Sequence, residues 1–242
     1  MLNLQKRSAA RTAAFATRLV SLVVASLFVH VALVVAGVQN AARAVSSANK
    51  EVLSVSEARR RPLGTVVIVD GSVTVPSGAF KSGTSDEGFA LQDSTGGLYV
   101  RTARNLALRI GREVRVTGQL ADSNGQLILV PAGAQGVTAR AQGAKVAGES
   151  VQTGGVNEAT EGRLVRVTGR ITKPVGNDLP YGYRVFIDDG SGEVQAFVYV
   201  STGIDVRRLR PGQRIDVTGF SGQYNDHYEV LPRFQSDIRR LR

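Results

Sequence analysis

Cysteine is absent from all 242 residues, which excludes disulfides, thiolate metal sites and thiol catalysis. Histidine is almost absent. Of the two, His30 falls in an apolar run near the N-terminus, so only His227 remains for the body, and multi-histidine or Cys–His chemistry drops out with it. Aromatic residues make up only 6%, and acids are outnumbered, with Asp+Glu 20 against Lys+Arg 30. What is plentiful is glycine, at 27, set among short Val/Ile runs, a combination that marks a turn-rich β protein. Hydrophobic residues reach 43%, enough for packed cores, and the length suits one large domain or two of about 100 residues.

Part of the basic excess belongs to the N-terminus. The segment before residue 19 carries Lys6, Arg7, Arg11 and Arg18 and no acid, and the run LVSLVVASLFVHVALVVAG follows at 19–37. Ala42-Arg43-Ala44 then supplies a small-x-small cleavage pattern. Together these read as an export signal over 1–44. The apolar run exceeds the usual h-region of about 7–15 residues. At about 1.5 Å per residue it is long enough for a bilayer, so an uncleaved membrane anchor over 19–37 is the rival. Either outcome places the body outside the cytoplasm, periplasmic or extracellular. Residues 1–44 hold five basic side chains and no acids, so the remainder carries +5 rather than +10.

One phrase recurs along the body: GTVVIVDG at 64–71, GREVRVTG at 111–118, GRLVRVTG at 162–169 and GQRIDVTG at 212–219. The first and third are 98 residues apart, the second and fourth 101. Between the members of each pair lies an Asp/Gly-rich hairpin phrase, GFALQDSTGGLYV at 88–100 and YRVFIDDGSGEVQAFV at 183–198. The repeat is therefore a unit of about 100 residues, which indicates two tandem domains.

Each unit reads as five strands. Strand 1 covers 64–75 or 163–175, and strands 2 and 3 form the hairpin. A short helical turn is expected near 103–110 and 203–209. Strand 4 holds the second octet, and strand 5 covers 126–130 or 227–231. Alternation turns Val114 and Val116, or Val165 and Val167, to one side. The closing Thr-Gly lets strands 1 and 4 bend so that the sheet can curl shut. The domains expected are 52–139 and 158–242, joined by a Gly/Ala-rich linker at 140–157, with one extra edge strand near 136–141. Ser54-x-x-Glu57 fits a capping box opening a short helix, whose arginines 59–61 read as a solvated helix end.

Three strands, a short helix and two more strands, with G-x-x-V-x-V-T-G flanking an Asp-Gly hairpin, resemble the OB-fold, and most closely exported bacterial tandem OB-domain proteins. The resemblance covers about 60–240, and the ending PRFQSDIRRL at 232–241 resembles the tail of such proteins. It implies an all-β chain of two five-stranded Greek-key barrels, preceded by the apolar signal or anchor helix. It implies no cofactor and specifies no ligand.

OB barrels bind on the face of strands 2 and 3, between the loops joining strands 1–2 and 4–5. In the second unit alternation sends Val185, Ile187, Val194, Ala196 and Val198 inward. Arg184, Phe186, Gln195, Phe197 and Tyr199 then face outward, with Arg166 and Arg170 on strand 1. Tyr181 and Tyr183 end the strand 1–2 loop; Tyr224 and Tyr228 flank the strand 4–5 loop. Rings between arginines make a stacking platform for single-stranded nucleic acid, with guanidinium groups on the phosphates. The same rings would equally serve a barrel–barrel interface. The first unit offers only Tyr99 and Arg101 at matching positions, with Ala90 and Gln92, and reads as a poorer binder. The arginines at 207, 208, 210 and 214, and at 239, 240 and 242, read first as a solvated face.

The expected function is therefore non-enzymatic nucleic-acid binding, single-stranded and without sequence preference. The alternatives are an envelope module contacting protein or oligosaccharide, and an accessory subunit of an extracellular nuclease. His227 stands beside Asp226 and near Glu229, but alternation along a strand sets neighbours on opposite faces. Asp188-Asp189-Gly190-Ser191-Gly192 has a calcium-like composition without the spacing of a calcium loop, and reads as a hairpin turn.

Overall fold

The computed structural model describes residues 51–81 and 86–242; the export signal or anchor expected over 1–44 lies outside the described residues. Val52–Arg242 forms one compact unit, and it contains two closed five-stranded barrels. The first uses β2 (Val66–Val75), β3 (Phe89–Gln92), β4 (Gly97–Val100), β5 (Arg112–Ser123) and β6 (Gln126–Pro131). Their order is β2-β3-β4-β6-β5, and β5 returns to pair with β2. The second uses β9 (Leu164–Ile171), β11 (Gly182–Asp188), β12 (Val194–Tyr199), β13 (Arg214–Tyr224) and β14 (His227–Leu231), in the matching order β9-β11-β12-β14-β13 with β13 back on β9. In each barrel the third and fifth strands run parallel and every other pairing within the barrel is antiparallel. This is the Greek-key closure that the OB-fold resemblance implies.

The octet is explained at both ends. Its leading glycines, Gly64, Gly111, Gly162 and Gly212, have φ of +86°, +80°, +84° and +84°, a left-handed conformation open mainly to glycine. Its closing glycines sit where a long strand is paired on both edges. A Cβ on Gly118 would lie 2.9 Å from the Val130 carbonyl oxygen, and one on Gly219 2.6 Å from that of Leu231. The bend expected at Thr-Gly is thus a crossing point where only a bare Cα fits.

Both barrels are framed by further strands. β1 (Val52–Leu53) runs parallel to β2, and β8 (Glu149–Ser150) runs parallel to β9. β7 (Val137–Gln142) pairs with β5, and β15 (Ile238–Arg240) pairs with β13. The short β10 (Gly176–Asp178) folds back on β11. Helix α1 (Val55–Arg59) opens with the expected capping box between Ser54 and Glu57.

The hairpin turns anchor the segments that lead into each barrel. Asp93 accepts the Val55 N–H at 2.8 Å, and Asp189 accepts the Thr153 N–H at 3.2 Å. Asp189 also accepts from the Thr153 and Ser191 hydroxyls and the Ser191 N–H. Hydrogen bonds from Ser191, then Thr153, hold its carboxyl down at about 2. Its oxygens are engaged by protein donors, as a structural turn requires. Among the described residues no group of three or more His, Cys, Asp or Glu is placed to hold a metal ion.

Two expectations need correction. No helical turn forms at 103–110 or 203–209; a single 3-10 turn, Val200–Thr202, precedes the latter segment. The Asn105 side chain accepts the Ala107 N–H, and Asp205 accepts the Arg207 N–H. These local side-chain bonds compete with helical ones, and Ala107 has φ +54°. Arg59 is not a solvated helix end either. It bonds Glu158 and the buried Glu161 at 3.0 Å each, pinning the first barrel's entry helix to the second barrel.

Candidate functional site

Strand parity holds in the second barrel. Val185, Ile187, Val194, Ala196 and Val198 are buried in its core with Val165, Val167 and Val217. The first barrel has its own core around Phe89, Leu91, Leu98, Val114 and Val116. A third apolar cluster lies between the barrels. Val75, Phe80, Ala90, Tyr99 and Ile128 of the first pack on Phe197, Phe220 and Leu231 of the second, with Tyr199 alongside.

That cluster changes the role of the outward rings. Phe197 is 8% exposed and Tyr99 7%. Tyr199 stacks on Phe80 with ring centroids 5.3 Å apart and meets Phe197 edge-on at 4.9 Å. Burial raises the Tyr99 and Tyr199 hydroxyls above their ordinary value. The solvent-open platform expected of Phe197, Tyr199 and Tyr99 is therefore an interior. The outer face of the first barrel is apolar at Val75, Ala90 and Ile128, and it satisfies those rings by covering them.

The uncovered part of the same faces forms a cleft of about 710 Å³ between the barrels. Seven of the expected site residues line it: Tyr99, Arg101, Arg184, Gln195, Phe197, Tyr199 and Tyr224. Tyr181, whose place at the end of the strand 1–2 loop sets it at the border of the expected groove, lines the cleft too, as do Phe80, Asp86, Asp178, His227 and Glu229. Tyr181 and Tyr224 are 48% and 51% exposed, and the Tyr224 ring meets His227 edge-on at 6.0 Å. The cleft thus has an aromatic floor, polar walls and free rings at its mouth. His227 and Glu229 are two residues apart on β14, so they share a face and both line the cleft, with 3.9 Å between Nε2 and Oε2. The alternation that separates neighbours brings second neighbours together.

Acids outnumber arginines in the cleft: Asp86, Asp178 and Glu229 line it with Arg101 and Arg184. Arg101 Nε lies 3.6 Å from Asp86, and Arg184 Nη2 3.8 Å from Asp178. Burial raises the Asp86 carboxyl, opposed by the Gly88 N–H and Arg101. Glu229 accepts a 2.8 Å bond from Gln195 Nε2, yet burial pushes its carboxyl up to about 6 from an ordinary 4.5. Folding therefore favours its protonated form. That contribution is present below pH 4.5 and lost as pH rises through about 6. Over this window the urea midpoint of the native chain is expected to fall relative to Glu229→Gln, which has nothing there to titrate. Parallel pH profiles for the two would contradict a buried Glu229.

The other five expected residues lie elsewhere. Arg166 forms a bidentate pair with Asp216 at 2.7 and 2.8 Å. Arg170 is exposed and donates to the Gly212 carbonyl. Tyr183 and Tyr228 pack on the second barrel's core. The Tyr228 hydroxyl donates to Glu158 at 3.0 Å and is pushed up to about 12 by burial and that carboxylate. Phe186 is half-buried, with Lys173 Nζ 4.3 Å from its ring centroid.

The sequence matches no protein-family model and no curated protein. Among solved structures the chain is similar to the S. pombe Stn1-ten1 complex, at 17% identity and TM-score 0.29, over 33% of this chain and 58% of that one. It is also similar to the OB domain of MM0293 from Methanosarcina mazei, at 14% identity and TM-score 0.34, over 40% of this chain and 86% of that one. A third is the Ifi202 HINa domain in complex with 20bp dsDNA, at 12% identity and TM-score 0.37, over 69% of this chain and 93% of that one. At these scores the likenesses carry no inference about ligand or partner.

Proposed function

We propose that this chain is an exported, non-enzymatic protein that binds nucleic acid, single-stranded and without sequence preference, at the cleft bordering strands 2 and 3 of its second barrel. The observation that carries this reading is the pair of half-exposed rings, Tyr181 and Tyr224, standing at the mouth of a cleft floored by Phe197 and Tyr199. A flat base stacks on such rings whatever its identity, each contact contributing about 1–3 kcal/mol. Gln195, Arg184 and Glu229 supply donors and acceptors to base edges. Export rests on the basic leader, apolar run and small-x-small site over 1–44.

The full chain titrated with a fluorescent single-stranded oligonucleotide tests this. Tyr181→Ala combined with Tyr224→Ala is expected to weaken binding at least about tenfold and to leave the unfolding midpoint nearly unchanged, since both rings are half-exposed. Unchanged affinity would remove the cleft assignment. One observation favours a second reading, an oligosaccharide: the cleft's arginines are already matched by carboxylates, which suits hydroxyls as well as bases. Sugar binding would show little salt dependence, whereas phosphate contact weakens steeply with salt.

A further inference from the structure

We infer that the outer face of β9, β13 and β15 is a second contact surface of this protein, taking the phosphate backbone of a nucleic acid outside the cleft; this rests on the nucleic-acid reading above. On these strands Val165, Val167, Ile171, Ile215, Val217 and Ile238 fill the core. The opposite parity places Arg166 and Arg170 of β9, Arg214 of β13 and Arg239 of β15 on the outer face, and all four are exposed. Asp216 is the one acid among them, buried at 1% exposure and already shared by Arg166 and Arg239. Four arginines against one aspartate leave a surplus of three.

Arg170 and Arg214 stand directly opposite each other in the β9–β13 ladder. Like charges in that position destabilise a sheet. Among the described residues neither forms a salt bridge. Asp188, which faces Arg170 from β11, is turned to its own hairpin, accepting the Gly190 and Gly192 N–H groups.

The first barrel shows that the fold does not need this pair. In its β2–β5 ladder the corresponding partners, by the repeat spacings of 98 and 101, are Ser72 and Glu113. There Asp70 is matched by Arg115 and Arg140, and the face is balanced. The arginine pair is a feature of the second barrel alone. Two arginines whose Cβ atoms lie about 5 Å apart, with Arg166 about 13 Å along the same strand, form an array suited to repeated phosphates rather than a pocket for one anion. β11 lies between this face and the cleft; Lys173, over Phe186, is paired with Glu193, so the cationic surface ends at β9. An anionic membrane is less well served: of the exposed large apolar side chains among the described residues, Leu241 alone adjoins β15.

The test transplants the first barrel's pair. Arg170→Ser with Arg214→Glu, in the full chain, is compared with the native chain and with Arg104→Gln, an exposed first-barrel arginine. Affinity for a single-stranded oligonucleotide is measured across a salt series. Losing two phosphate contacts is expected to reduce the slope of log affinity against log salt by about 1.4, or about sevenfold in affinity change between 50 and 200 mM salt. Arg104→Gln and the Tyr181/Tyr224 double variant should keep the native slope. If the native chain binds and the transplanted pair keeps its slope, this surface is wrong while the cleft stands. If the native chain binds no oligonucleotide, both readings fall. If the pair instead abolishes binding to phosphatidylserine vesicles and leaves oligonucleotide binding intact, the face is a membrane contact and the inference is overturned.

Discussion

Gly97→Ala is expected to lower the stability of the two-barrel unit by about 2–3 kcal/mol or more, read as a lower urea midpoint. Gly97 opens β4, where the backbones of the two barrels cross. A Cβ there would fall far inside van der Waals contact with the carbonyl group of Gly162, and a Cβ on Gly162 would meet Gly97 in the same way. Backbone on both sides leaves nothing flexible to yield. The crossing is also knit by hydrogen bonds. The Leu164 N–H donates to Gln92 Oε1 at 2.8 Å, and Arg163 Nη2 donates to the Thr95 carbonyl at 2.8 Å. An inserted methyl group would stretch both and separate the rings beneath. Gly203→Ala provides the comparison: its φ is +66° with nothing within 4 Å of an added Cβ, so only backbone strain of about 1 kcal/mol applies. Equal costs for the two variants would show that the barrels do not touch at Gly97.

This contact marks the limit of what was legible in the sequence. Strand parity is local, and it correctly separated Val185, Ile187 and Val198 from Phe186, Phe197 and Tyr199. Closure was legible too, because the octets and hairpins carry the turn and bend chemistry of each barrel. What covers an outward face depends on chain 100 residues away, and no periodicity reports it. Ala90, Gln92, Tyr99 and Arg101 read as a weak binding face because they offer one ring and one arginine; with Val75 and Ile128 beside Ala90 and Tyr99, the same scarcity of charge makes a good apolar dock. Phe80 belongs to neither repeated phrase, yet it stacks on Tyr199 and completes the shared cluster. Arg59 looked like one more charge at a helix end, and only the fold brings Glu161 to it. The cleft carboxylates were hidden for a related reason. Asp86 and Glu229 come from different barrels, and burial between the two shifts their protonation. One signal was available for Glu229: it lies two residues from His227, on the same side of a strand.

Arg233→Ala is expected to cost about 3–5 kcal/mol, the usual consequence of removing one partner from a buried ion pair. Arg233 and Asp237 have only 9% and 8% of their side chains exposed. The guanidinium donates to both Asp237 oxygens at 2.9 Å, and its remaining arm reaches the Thr74 carbonyl of the first barrel at 2.7 Å. Deleting it leaves a buried carboxylate held only by the Arg233 and Phe234 backbone N–H groups, and it strands a carbonyl next to Val75 of the shared cluster. The double variant Arg233→Met with Asp237→Leu should recover part of the loss, since no charge is then left unpaired, while the Thr74 carbonyl and the backbone N–H groups of residues 233 and 234 still lack their partners. If the single variant costs less than about 1 kcal/mol, as exposed pairs do, the tail does not clamp the barrels together. The same measurement bears on binding. The cleft exists only while the barrels hold their spacing, so Arg233→Ala should weaken oligonucleotide binding although Arg233 does not line the cleft. Partial restoration of both stability and affinity by the apolar double variant would identify the clamp, rather than the lost positive charge, as the cause.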